Sequence, residues 1–167
     1  MESPINVRAA ATGDAELVVR LIHEAFAEYQ GVLDPPSSAH KRTAESIRRD
    51  LIEGLGAVAT FEGENAGCVL FRCNEDHIYL GPLAVLPAFR NQGVGGALMA
   101  FSEQFAKTSD TPRVRLGTRL RLAHVIRFYE SRGYKVIEVL THEGYSQPTG
   151  VFLELDLSPR AENATDI

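Results

Sequence analysis

Leu83-Ala84-Val85-Leu86-Pro87-Ala88-Phe89-Arg90-Asn91-Gln92-Gly93-Val94-Gly95-Gly96-Ala97-Leu98 is the stretch whose reading decides the fold. Leu83 to Leu86 form an apolar strand, and Pro87 ends it because proline has no N–H to continue a ladder. A short basic turn follows. Val94, Leu98, Phe101 and Phe105 then recur at helical spacing, one stripe facing a core. Gly93, Gly95 and Gly96 stand where this helix begins. Glycine is a poor helix former, but it lets another group approach the bare backbone. The first turn of a helix offers unpaired N–H groups and the positive end of a dipole, so the expected guest is an anion, foremost a phosphate. Arg90 is expected beside it as a mobile counter-charge.

Three phosphate-binding patterns compete for these residues. A P-loop ends in Gly-Lys-Ser/Thr, but Gly95-Gly96 runs into Ala97-Leu98, with no lysine and no Mg²⁺-binding hydroxyl. A dinucleotide fingerprint needs a third small residue three places after Gly95, where Leu98 stands. The pattern Arg/Gln-x-x-Gly-x-Gly/Ala is met by Arg90-Asn91-Gln92-Gly93-Val94-Gly95. It resembles the signature of the GNAT superfamily, the acyl-CoA-dependent N-acyltransferases, in which this loop holds the coenzyme A pyrophosphate.

Length and composition agree with an ordinary enzyme domain. A chain of 167 residues with 44% apolar and 23% charged residues can bury a real core. A net charge of −5 argues against a nucleic-acid partner. No apolar run reaches the roughly 18 residues of a membrane span, and no basic-then-apolar leader follows Met1. The expected location is therefore the cytoplasm. Cys68 and Cys73 fall on opposite faces of one strand and read as reduced thiols, with no metal site implied.

Outward from the glycine turn, the elements fall in a simple order. Ile5 to Arg8 alternate as a first strand, and Thr12-Gly13-Asp14 starts a helix that carries Leu17, Val18, Leu21, Ile22 and Ala25 inward towards Tyr29. Gly31 to Ser38, with Pro35 and Pro36, is a loop. A second helix buries Ala44, Ile47 and Leu51 and ends near Gly54. Strands follow at 57–61, 66–72 and 77–86, the last interrupted by Gly81-Pro82 as at a bulge. After the glycine-started helix come a strand at 114–118, a helix over 122–132 closed by Gly133, and strands at 134–140 and 151–157. The order β-α-α-β-β-β-α-β-α-β-β predicts an α/β sandwich on a mixed sheet.

A second motif strengthens the resemblance. Ile126-Arg127-Phe128-Tyr129-Glu130-Ser131-Arg132-Gly133-Tyr134 is similar to the GNAT fourth-helix pattern: an apolar residue, Phe-Tyr, three residues, then Gly-Phe/Tyr. The resemblance covers about residues 5–157. It implies one N-acetyltransferase domain over 1–157, a tail over 158–167, and a mixed, mostly antiparallel sheet flanked by helices. The family's asparagine earlier on this helix has no counterpart: Leu122 and Val125 hold the places it would take, with His124 the only polar residue nearby.

By that resemblance the cofactor is acetyl-CoA. Its pyrophosphate would lie on Asn91, Gln92, Gly93, Val94, Gly95, Gly96 and Ala97 beside Arg90, and its pantetheine along Leu83, Ala84 and Val85. His124 and Phe128 would line its course on the fourth helix. Tyr129 matches the tyrosine that protonates the departing thiolate. For the base, His77 and Tyr79 share a face of the fourth strand, at 77–86, and His77 has the better pKa. Glu24, Glu28, Tyr29 and Tyr79, with His142 and Tyr145 in the late loop, lie where the family builds its acceptor pocket. Arg113, Arg115, Arg119 and Arg121 form a basic cluster that reads either as a solvated face or as help with the cofactor's 3′-phosphate. The expected acceptor is a small-molecule or peptide amine, with no nucleic acid or membrane involved and a homodimer left open. Two rivals stand beside this reading: a non-catalytic acyl-CoA-binding module, and a nucleotide-phosphate enzyme using the same turn.

Overall fold

Strand β1 (Ile5–Ala9) leads into helices α1 (Ala15–Phe26) and α2 (Ala44–Glu53), followed by β2 (Leu55–Phe61), β3 (Glu64–Cys73) and β4 (Ile78–Val85). Helix α3 (Val94–Lys107), β5 (Arg113–Arg119), α4 (Ala123–Ser131), β6 (Lys135–Leu140) and β7 (Gly150–Asp156) complete the chain. This computed structural model describes residues 2–159, so residues 160–167 of the expected tail lie outside the described residues. The element order is the expected one. Helix α1 stops three residues early, at Phe26, and a 3-10 turn carries the chain on to Tyr29.

The strands form one sheet in the order β1-β2-β3-β4-β5-β7-β6. Neighbours are antiparallel except β4 and β5, which run parallel. Local chemistry sets the turns: Glu62 and Gly63, both at positive φ, join β2 to β3 in a tight hairpin. Thr43 caps α2 by accepting from the Ser46 N–H, while Ser46 Oγ accepts from the Thr43 N–H.

Two cores sandwich the sheet. On one face Val94, Leu98 and Met99 of α3 and Tyr129 of α4 pack with Val69, Phe71, Ile78 and Leu80. On the other, Val18, Leu21 and Ile22 of α1 and Ile47 of α2 pack with Val58, Cys68 and Ala84. Burying these side chains contributes about 1.5–3 kcal/mol each before chain entropy is charged against it.

The break at Gly81-Pro82 is a β-bulge. Val69 pairs with Leu83 and Phe71 with Leu80, so two residues of β4 oppose Leu70 alone. The extra residue shifts the strand's alternation by one. Ile78 and Leu80 face the α3–α4 core before the bulge; Leu83 and Val85 face it afterwards.

Candidate active site

β4 and β5 pair over only three positions, Ile78–Val114, Tyr79–Arg115 and Leu80–Leu116, and then part. Beyond the bulge each strand has an unpaired inner edge. Leu86 donates to Ala66 O at 2.9 Å, so antiparallel alternation turns the polar groups of Ala84 towards β3 and those of Leu83 and Val85 into the split. The Leu83 N–H and C=O and the Val85 N–H are thus placed to bond an extended ligand. Ala84 offers that ligand nothing polar, and its side chain packs in the α1–α2 core. The split opens into a cleft of about 930 Å³.

Helix α3 points its N-terminus at this cleft. Asn91 (φ 60°) and Gly93 (φ 91°) turn the chain through left-handed backbone. The first bond into the helix runs from Ala97 N–H to Gly93 O at 3.0 Å, so the N–H groups of Val94, Gly95 and Gly96 lie ahead of the ladder. A β-carbon at Gly95 would stand 3.6 Å from Phe128 and 3.7 Å from Val85, which places this glycine in the cleft wall between α4 and β4. Two expected contacts point elsewhere. The Ala97 N–H is spent on Gly93, and the Gln92 side chain donates to Ala88 O at 3.0 Å.

Arg90 lines the cleft and is held at three points. Its Nε donates to Val85 O at 3.1 Å, its Nη2 to Ala25 O at 2.9 Å, and its Nη1 pairs with Glu28. It ties the end of β4 to the end of α1, so its charge is fixed beside the turn.

α4 supplies the opposite wall through Leu122, His124, Val125, Phe128 and Tyr129. The Tyr129 ring is buried between Phe128 and Tyr134, with centroids at 5.3 and 5.8 Å. Among the described residues its hydroxyl bonds to no protein group, although the side chain lines the cleft. Burial, then the nearby phenols of Tyr79 and Tyr29, push its pKa well above the usual 10. Three tyrosines therefore converge here from β4, α4 and the turn after α1.

The far side of the split lies on the sheet face under α1 and α2. Tyr79, opposite in alternation to Leu80, lines it with its phenol beside Gly117. The Arg72 guanidinium stacks 4.8 Å over the Tyr79 ring. Leu33, Ser37 and Ser38 of the α1–α2 loop roof the space. Arg119 holds that loop through Pro35 O (2.7 Å) and Pro36 O (3.1 Å), and Arg121 through Val32 O (3.1 Å). The basic cluster thus has a third use, as loop anchors, and Arg115 and Arg113 pair with Glu154 and Asp156.

Several expected site residues fall outside the cleft. His77 is buried in the β3–β4 turn, where Nδ1 bonds Asp76 at 2.6 Å and Nε2 meets the Asn74 amide at 2.9 Å. With both nitrogens engaged and no place in the cleft wall, its geometry is that of a turn residue rather than a base. Glu24 is exposed on the outer side of α1, away from the cleft. Tyr145 bonds Asp34 and straps the late loop to the α1–α2 loop. Glu28 serves Arg90.

His142 is the histidine on the acceptor side of the cleft, beside Arg119. Thr149 Oγ1 accepts from its backbone N–H at 2.9 Å and bonds its Nδ1, which leaves Nε2 unbonded among the described residues. Burial, then the Arg119 charge, lower its pKa, which favours the neutral ring. Sequence reasoning underrated it because a loop histidine has no period to read. It also missed Arg72, which register makes a direct neighbour of Tyr79 once the turn at residues 74–77 is counted.

A mixed sheet splayed between two parallel central strands, with a glycine-opened helix aimed at the split, offers unpaired strand edges and helix N–H groups to a long, phosphate-ended ligand. The chain belongs to the acetyltransferase (GNAT) family, whose model matches residues 19–134. No curated protein matches it. Among solved structures it is similar to the ribosomal-protein-S18-alanine N-acetyltransferase of Escherichia coli, at 19% identity and TM-score 0.76, covering 95% of this chain and 97% of that one. It is similar to the PaiA N-acetyltransferase of Thermoplasma acidophilum in complex with coenzyme A, at 16% identity and TM-score 0.76 over 93% and 99%. The YncA protein of Salmonella typhimurium, solved with acetyl-CoA, superposes at TM-score 0.69 with 19% identity over 97% and 99%.

Proposed function

We propose that this protein transfers the acetyl group of acetyl-CoA directly to a primary amine, without a covalent enzyme intermediate. The observation that carries this reading is the unbonded Tyr129 hydroxyl on the wall of a cleft whose other wall is the unpaired edge of β4. The pyrophosphate would take the N–H groups of Val94, Gly95 and Gly96. Pantetheine would run along Leu83 and Val85, adding itself as a strand in the split. Its thioester would then lie at the bulge, near Tyr129.

The chemistry follows from pKa values. An aliphatic amine near 10.4 is neutral in only about one molecule in 10³ at pH 7, so the bound ammonium must give up a proton before its nitrogen can attack. Neutral His142 is the group we assign to accept that proton. The leaving thiolate, near 8.5 when unperturbed, is a weaker base than the phenolate of Tyr129. Full transfer from the phenol is therefore uphill. Tyr129 works by donating a hydrogen bond to sulfur as charge builds, and the proton shed by nitrogen makes good any it gives up. Neither cysteine suits a nucleophilic role: burial raises the Cys68 thiol to about 12, and Cys73 is absent from the cleft wall.

The test is free-thiol release from acetyl-CoA with a panel of amines. Release that needs the amine supports the transferase. Tight acetyl-CoA binding with no release for any amine would instead favour the binding-module reading.

A further inference from the structure

The walls of the cleft carry charge of one sign. Arg42, Arg72, Arg90 and Arg119 line it, and among the described residues no aspartate or glutamate does. Two of the four are neutralised, Arg42 by Asp50 and Arg90 by Glu28. Arg72 makes no ion pair among the described residues; it lies over the Tyr79 ring. Arg119 spends two N–H groups on the carbonyls of Pro35 and Pro36, which leave its charge intact. Asp34, bonded by Tyr145 outside the cleft wall, keeps its charge and offsets Arg119 only in part.

Strand alternation puts Arg72 and Arg119, neither of which forms an ion pair among the described residues, on one side. Phe71 and Leu116 face the α3–α4 core, so Arg72 and Arg119 face the α1–α2 side with Tyr79 and Gly117. That is the side opposite the glycine turn, where the acceptor must enter if the cofactor lies as proposed.

We infer that the acceptor is an amine that also bears a carboxylate, an amino-acid-like molecule, which Arg72 and Arg119 bind. The inference rests on the transferase reading above. A guanidinium fork matches a carboxylate in geometry as well as charge. A diamine, an aminoglycoside or any multiply cationic acceptor would set its second ammonium against these arginines with no acidic group to hold it. The reacting amine needs no carboxylate of its own, since it must be neutral to attack.

The experiment measures kcat/KM with matched pairs: phenylalanine against phenethylamine, and lysine against cadaverine. The expected preference for the carboxylated member is at least about tenfold, the weight of one charge-assisted hydrogen bond. Arg72→Gln, at an exposed position that the fold tolerates, should raise KM for the amino acids and pull the ratio towards one. Comparing ratios cancels the different basicities of the amines. Arg119→Gln is the second variant, with a thermal melt to report any loosening of the loop. A fall in the ratio in either variant supports the inference. Cadaverine or phenethylamine preferred by the wild type overturns it, as does a ratio unmoved in both variants, and either result leaves the transferase standing. No thiol release with any amine overturns the transferase reading instead.

Discussion

Valine in place of Gly95 tests the anion site with the fold as its own control. A β-carbon there meets Phe128 Cζ at 3.6 Å and Val85 Cγ2 at 3.7 Å, ordinary contact distances. One methyl therefore fits, and in a helix alanine is about 0.8–1.0 kcal/mol more favourable than glycine. In a chain of this size 1 kcal/mol moves Tm by about 2–4 °C, so Gly95→Ala should melt higher by about that much when free. Valine gains less from propensity, and its γ-methyls crowd Phe128 and Val85, so its free Tm should stay within about 2 °C of wild type. Those same methyls fill the space in front of the helix N–H groups. Coenzyme A at a hundred times its Kd should stabilise the wild type by about 2.7 kcal/mol, or roughly 5–11 °C. Gly95→Val should lose that shift, and Gly95→Ala should keep most of it, because the motif admits alanine at this place. Thermal melts with and without coenzyme A, backed by calorimetric titration, read all three. A Gly95→Val protein that melts normally and shows the full wild-type shift would falsify the assignment of the pyrophosphate to this turn.

Three further outcomes are expected. Tyr129→Phe keeps the ring and its packing, so acetyl-CoA affinity should hold while kcat falls by about 10²–10⁴-fold; a loss under about threefold would take the hydroxyl out of the mechanism. The proposed base is active when neutral, and its pKa is lowered, so the rate should rise with pH along a limb centred below the ordinary 6.5 and flatten above it. His142→Gln should abolish that limb and His77→Gln should leave it in place; the reverse pattern would restore His77 as the base. Arg8 and the Ala11 N–H hold the Asp14 carboxyl at about 2, below its unfolded value near 3.8. Its stabilisation is present above that unfolded value and lost as pH falls through about 2. Asp14→Asn should therefore flatten the acid side of a pH–stability curve, by under about 1 kcal/mol because the pair is solvent-facing; an unchanged acid limb in urea melts would show the pair to be idle.

Elements were legible where the sequence is periodic. The α3 stripe and the strand at 151–157 depend on neighbours in the chain and fold as read, while the hairpin turn is tighter than the spacing suggests because β3 resumes at Glu64 rather than Ala66. Side-chain partners from distant segments were not legible. Arg90 reads as a free cation because nothing near it in sequence is acidic, yet its carboxylate, Glu28, arrives from 62 residues away. Arg119 and Arg121 read as either a solvated face or a phosphate site, and instead bond carbonyls 83 to 89 residues distant. His77 had the right pKa class and the right strand, but its turn partners Asn74 and Asp76 claim both nitrogens. Residue type announces what a group can do; only the fold says whether the group is free to do it.

The bulge at Gly81-Pro82 shows how one local feature decides the site. An unbroken β4 would keep one alternation throughout, and Leu83 and Val85 would join Tyr79 in facing α1 and α2. Their backbone polar groups would change edge as well, giving Ala84 the split and returning its neighbours to β3. The extra residue puts Leu83 and Val85 on the α3–α4 face, where the glycine turn and Tyr129 lie, and leaves Tyr79 on the other. β4 therefore changes sides where the split begins. A cofactor reaching from the α3 turn along Leu83 and Val85 would end at the bulge, with Tyr129 on its own side and Tyr79 and Arg72 on the far side. The acceptor would then reach the cofactor's thioester carbonyl from the other face of the sheet, so that both reactants meet in one cleft, as direct transfer without an enzyme-bound intermediate requires.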